Sequence, residues 1–157
     1  MLAKILKWSA VSLVAVLVVI QLIRPDRTNP MVDASRTLQA KIQVPADVDA
    51  ILKRSCNDCH SYETRWPWYS NVAPASWLLA SDVNEGREHM NFSDWALYDT
   101  DDAEDLFEEI ADEVRKGGMP LSSYTFLHGE AKLTEEDKRR IIDWAQAEHR
   151  RLKSLPD

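Results

Sequence analysis

The chain has 157 residues, 45% of them apolar and 29% charged, with only four glycines and a formal net charge of −7. That length suits one domain around one hydrophobic core, and the negative charge argues against nucleic acid as a partner. Abundant Ala, Leu, Glu and Lys beside so little Gly lean toward an all-α fold, and no internal repeat or low-complexity run makes the chain a solenoid or a tail.

The first element is apolar. Trp8 to Ile23 reads WSAVSLVAVLVVIQLI with no charge, and from Leu2 only Lys4 and Lys7 interrupt the run. Roughly 20 residues of helix cross a bilayer core, and lysines and a tryptophan at the edge suit the headgroup level. Residues 1–24 are therefore expected to be an uncleaved membrane anchor. A cleaved signal peptide is the rival, but no small-residue cut site follows the run closely. Lys4 and Lys7 before the span nearly balance Arg24 and Arg27 after it, so charge alone does not set the orientation.

Residues 25–44 carry Pro25, Pro30 and scattered polar side chains. They read as a linker with one helical turn around Ser35 to Ile42. The remaining domain, 45–157, opens with a helix after Pro45, where Val48, Ile51, Leu52 and Ser55 fall at helical spacing. Pro74 is placed to open another helix, with Trp77, Leu78 and Val83 on its apolar side and Gly86 at its end. Asp101 or Thr100 is expected to cap a third helix, whose stripe is Leu106, Phe107, Ile110 and Val114 and which Gly117 and Gly118 stop. MPLSSYTFLHGEAKL reads as a loop. In the last helix Thr134 is the cap, acids fill the first turn and bases the last, and Ile141, Ile142, Trp144 and Ala145 turn inward. The densest acid, YDTDDAEDLFEEIADE, is either a solvated helix face or a docking face for a basic partner.

The chemistry lies in RSCNDCHSYETRWPWYS, Arg54 to Ser70, which holds both cysteines of the chain, Cys56 and Cys59, with His60 next. A thioredoxin-like pair would follow a strand, and a structural zinc would need two further ligands at short spacing. Here a helix precedes the motif, and His89, His128 and His149 are scattered. Cys-x-x-Cys-His is the signature of covalent c-type haem attachment. Two thiols so spaced reach two vinyl groups on one side of a haem, and His60 is delivered to the iron as proximal ligand. The second axial ligand is expected to be Met119, in RKGGMPLSSY: the glycines let backbone approach the haem, and a thioether suits low-spin iron. His89 is the alternative sixth ligand. His128 comes third and is better suited to fixing the loop by a hydrogen bond; Met31 and Met90 lack flanking Gly and Pro.

The order of helix, Cys-x-x-Cys-His, loop, helix ending in glycine, Met-Pro and a capped C-terminal helix with an aromatic residue resembles class I cytochrome c. More closely, CNDCHSYETRWPWYSNVAPASWLLASDVNEGREHMNFSDW with GGMPLSSYTFLHGEAKL resembles the small bacterial haem-binding domain proteins. The resemblance implies a cytochrome-c-like domain with one haem c, and an inner-membrane protein, single-pass, whose haem domain faces the periplasm. It further implies that a proline carbonyl, of Pro74 or else Pro67, accepts from the proximal imidazole. Arg65 and the aromatic N–H and O–H groups are candidate partners for haem propionates. With His60 and Met119 both bound, the iron would be saturated, Met/His ligation would raise the potential, and the protein would carry electrons among other redox proteins. An open or displaceable sixth site, serving a peroxidase-like enzyme or a gas or redox sensor, is the alternative.

Overall fold

In the computed structural model, which describes residues 1–155, α1 covers Leu2–Val19 and a 3-10 turn continues it over Ile20–Leu22. It is followed by α2 Leu38–Lys41, α3 Ala46–Ser55, α4 Asn57–His60, α5 Ala75–His89, α6 Thr100–Lys116, α7 Ser122–Leu127 and α8 Glu135–Lys153, with no strand among the described residues. The all-α expectation holds. None of α1 is buried, and Leu2–Leu22 is long and apolar enough to cross a membrane: 21 residues rise about 30 Å, the thickness of a bilayer's hydrocarbon core.

The core forms where the amphipathic faces of α3, α6 and α8 meet. Along α6 the buried positions Ala103, Leu106, Phe107, Ile110, Ala111 and Val114 recur at helical period, and α8 answers with Ile141, Trp144, Ala145 and Leu152. Phe107 is fully buried and meets Trp144 edge-on, with ring centroids 5.2 Å apart; Trp95 also packs against it, tilted, at 5.1 Å. Burying such an aromatic contributes about 2–3 kcal/mol, with roughly 0.5–1.5 kcal/mol more from each ring pair. Two ion pairs tie α3 to α8, Arg54 Nη2 to Asp137 Oδ2 at 2.9 Å and Arg140 Nη1 to Asp47 Oδ2 at 2.6 Å. They orient the helices more than they stabilise them.

Local signals place the ends. Thr134 and Asp137 form a reciprocal capping box on α8. α6 is capped by Asp99, whose Oδ1 accepts from Asp102 N at 2.9 Å, rather than by Thr100 or Asp101, which lie inside the helix. α6 ends as expected at Gly117, in the left-handed region with φ +73°. Gly118 N donates to Glu113 O and Gly117 N to Val114 O, the paired bonds of a Schellman turn that only a residue tolerant of positive φ closes cheaply.

Three expectations change. Residues 25–44 do not trail free as a linker would. Asn29 Nδ2 donates to Thr64 O at 2.8 Å, Arg36 Nε pairs with Asp94 Oδ1 at 3.1 Å, and Leu38 and Ile42 are buried in the core. The segment is a strap laid over the domain. α5 runs past Gly86 to His89, and its inward face is Leu79, Ala80 and Val83, while Leu78 is exposed and Trp77 half-buried. The segment after Met119 contains α7, a six-residue helix with no buried residue, which explains the lack of an apolar period in its sequence.

Candidate functional site

α3 ends at Ser55, and one further turn carries the motif. Cys59 N and His60 N both donate to Cys56 O, at 3.1 and 2.9 Å, so a single turn points two thiols and an imidazole the same way. Cys56, Cys59 and His60 all line one cavity of about 700 Å³, well within the range of cofactor sites. Leu52, Phe92, Leu106, Ile110, Val114 and Ile141 supply apolar wall. Both cysteines are free, and burial pushes each thiol up to about 12, so both are neutral thiols near neutral pH.

The orientation of His60 follows from its neighbour. Its Nδ1 lies 3.1 Å from Met90 O. A carbonyl only accepts, so Nδ1 carries the proton and Nε2 keeps its lone pair for a metal. Burial holds the imidazole pKa below its ordinary value, which keeps that lone pair available. The expected proline carbonyls do other work: Pro74 O accepts from Trp77 N and Leu78 N, and Pro67 O from Ser70 N. Pro74 precedes α5 and Pro67 a short 3-10 turn, and Met90 comes to the ring because α5 ends there.

Gly86 is what lets α5 come so close. A Cβ on it would sit 2.8 Å from Cys59 O and 3.2 Å from Cys59 Cβ, closer than carbon contacts allow. With Leu79 and Val83 it shares the helix face turned toward the motif. It was expected as a terminator; it is a point of contact instead.

Asp58, the residue before Cys59, is a second organiser that sequence reading passed over. Its Oδ1 accepts from Arg65 N at 2.9 Å and Arg65 Nε at 3.2 Å, and its Oδ2 from Tyr124 Oη at 2.6 Å. Arg65, expected near a propionate, is thus committed to Asp58 and is absent from the cavity wall. Tyr124 does line the cavity; burial, then its bond to Asp58, pushes its phenol pKa up. Its ring stacks on His128, centroids 4.2 Å apart. His128 Nδ1 donates to Tyr124 O at 3.1 Å, and Tyr69 Oη lies 3.4 Å from the ring nitrogens. His128 therefore fixes the loop, as its sequence setting suggested, and α7 is tied to the motif through Asp58.

Met119 and His89 both reach the cavity wall. Met119 follows the glycine turn of α6, is 36% exposed, and its backbone N donates to Glu113 O at 3.3 Å. His89 ends α5, and its Nε2 lies 2.7 Å from Glu109 Oε2. Binding a metal through that nitrogen would break an existing bond; the Met119 thioether has no such bond to give up.

These residues fit a haem. The thiols and the free imidazole nitrogen meet in one apolar cavity, and Ser55 Oγ is buried there with no hydrogen-bond partner, a polar atom that an occupant would satisfy. The rim is acidic, with Asp82, Glu85, Glu108, Glu109, Asp112 and Glu113 against Lys116.

A family model described as Haem-binding domain matches residues 15–147. That span runs from α1 into α8 and takes in every site residue named above. No curated protein and no solved structure matches the chain.

Proposed function

This chain belongs to the haem-binding domain family, and from that premise we propose that it is a membrane-anchored c-type cytochrome that transfers electrons at the periplasmic face of a bacterial inner membrane. Cys56 and Cys59 would hold one haem c by thioether bonds, and His60 and Met119 would be its axial ligands. The observation that carries the reading is the single turn Cys56–His60, which aims both thiols and an imidazole with a free Nε2 into one apolar cavity that also receives Met119. The haem would supply one-electron redox chemistry at its iron. The chain supplies the rest. Met90 O fixes the imidazole ring and makes it a stronger donor. The apolar wall keeps water from the site. The Schellman turn of α6 and the bond from Tyr124 to Asp58 hold the segment bearing Met119 at the cavity.

A displaceable sixth position is the second reading. The partial exposure of Met119 favours it, as does its place after two glycines.

Spectra of three proteins separate the readings. A thioether–ferric bond gives a weak band toward the red end of the visible spectrum. In the parent that band is expected, with no binding of carbon monoxide to the reduced protein. Met119→Ala is expected to lose the band, lower the potential and bind carbon monoxide, while His89→Ala leaves all three unchanged. Loss of low-spin character in His89→Ala, with Met119→Ala unchanged, would make the site bis-histidine. Carbon monoxide binding by the parent would favour the displaceable site.

A further inference from the structure

α1 does not hand the chain to the domain through a free tether. Gln21, near the end of the apolar run, pairs with the backbone of Ala73: its Nε2 donates to Ala73 O at 3.1 Å, and its Oε1 accepts from Ala73 N at 2.9 Å. Trp77 Nε1 donates to Ile23 O at 2.8 Å. Arg27 Nη1 donates to Ser70 O at 2.7 Å, to Ser70 Oγ at 2.9 Å and to Asn71 Oδ1 at 2.8 Å. The exit of α1 is thus fastened to residues 70–77, which lie at the level where the apolar run gives way to Arg24.

Beside these bonded residues stand apolar side chains left largely or partly exposed. Trp68 is 78% exposed, Val72 45% and Leu78 67%. Val72 precedes Ala73, Leu78 follows Trp77, and Trp68 opens the 3-10 turn that contains Ser70. Singly such exposures are ordinary; three around one helix exit form a patch. Tryptophan and leucine at the end of a membrane span are what the interfacial layer accommodates, the indole at headgroup level and the aliphatic chain below it.

We propose that the haem domain lies on the bilayer, with Trp68, Val72 and Leu78 immersed in the interfacial layer around the exit of α1. The proposal rests on α1 spanning the membrane. The occupant is the lipid of the leaflet into which α1 emerges, because the hydrogen bonds of Gln21 and Trp77 hold Ala73 and Trp77, the chain neighbours of Val72 and Leu78, to the end of the span. Leu78 lies one helical turn before Asp82 in α5, and Asp82 lines the cavity. The cavity rim therefore begins one turn from the membrane, and electron exchange favours partners that are themselves bound to the membrane.

The test uses the full-length, haem-loaded protein in nanodiscs. Benzoyl-phenylalanine replaces Leu13, Trp68, Leu78 or Leu97 in turn; all four are exposed, and an unchanged haem spectrum confirms folding. Leu97 is the control. It follows Ala96, whose N donates to Arg36 O, midway along the strap and away from the residues that bond the exit. After irradiation, lipid adducts are read by mass spectrometry. Adducts at positions 13, 68 and 78 with none at 97 are the expected result. Adducts at 13 alone overturn the proposal and leave the anchor standing. No adduct at 13 overturns the anchor and the proposal with it. Equal labelling at 97, or chain-to-chain crosslinks at 68 and 78 in place of lipid, also overturns it, the latter by making the patch a protein interface.

Discussion

A methyl group on Gly86 would lie 2.8 Å from the carbonyl oxygen of Cys59. The clash is with backbone, so rotamer change cannot relieve it, and overpacking of this kind costs about 1–3 kcal/mol. Gly86→Ala is expected to lower the melting temperature and reduce the haem content of purified protein, because α5 must back away and take Met90 O from His60. Unchanged haem content would mean that α5 does not position the motif. How much of the site could be read beforehand divides along the same line. Cys56, Cys59, His60 and Met119, which line one cavity, could be named as candidates because side-chain chemistry and spacing announce them. Met90 was not, because it acts through its carbonyl, and any residue has one. Gly86 was misread because sequence shows a missing side chain without showing what stands opposite. Asp58 was passed over because its partners Arg65 and Tyr124 are 7 and 66 residues away.

At the scale of elements, periodicity and capping did most of the work. The stripes of α3, α6 and α8 fell where spacing put them, since each helix buries one face against the others. Elements without an amphipathic face escaped. α7 buries nothing and is held by the Tyr124–Asp58 bond, which no local pattern encodes. The strap was read as a linker from its prolines and polar residues, which describe its outer side and its bends; its buried contribution is two residues, Leu38 and Ile42. That contribution is measurable. Leu38 is fully buried, so Leu38→Ala is expected to cost about 2–5 kcal/mol in denaturant unfolding of the haem domain. A change under about 0.5 kcal/mol would mean that the strap lies outside the cooperative unit.

For the whole molecule, the parts meet at two junctions. One joins the exit of α1 to the loop before α5 and to its first turn through Gln21, Arg27 and Trp77; the other brings the Met119 segment onto the Cys56–His60 turn. On the proposed topology the first holds the domain at the membrane and the second closes the redox site. Full-length protein is expected to stay with the membrane after alkaline carbonate washing and to leave only in detergent. Recovery of full-length protein in the wash would contradict an anchor, and a soluble form starting beyond Arg24 would point to cleavage. Everything else depends on the cofactor being covalently held by the turn that gathers Cys56, Cys59 and His60. The most direct test is the intact mass of the protein, expressed with a c-type maturation system and extracted with acid acetone. The account predicts the mass of the chain plus one haem, falling to the bare chain in the Cys56→Ala/Cys59→Ala double variant. A parent protein that leaves the extraction at the mass of the bare chain would contradict it.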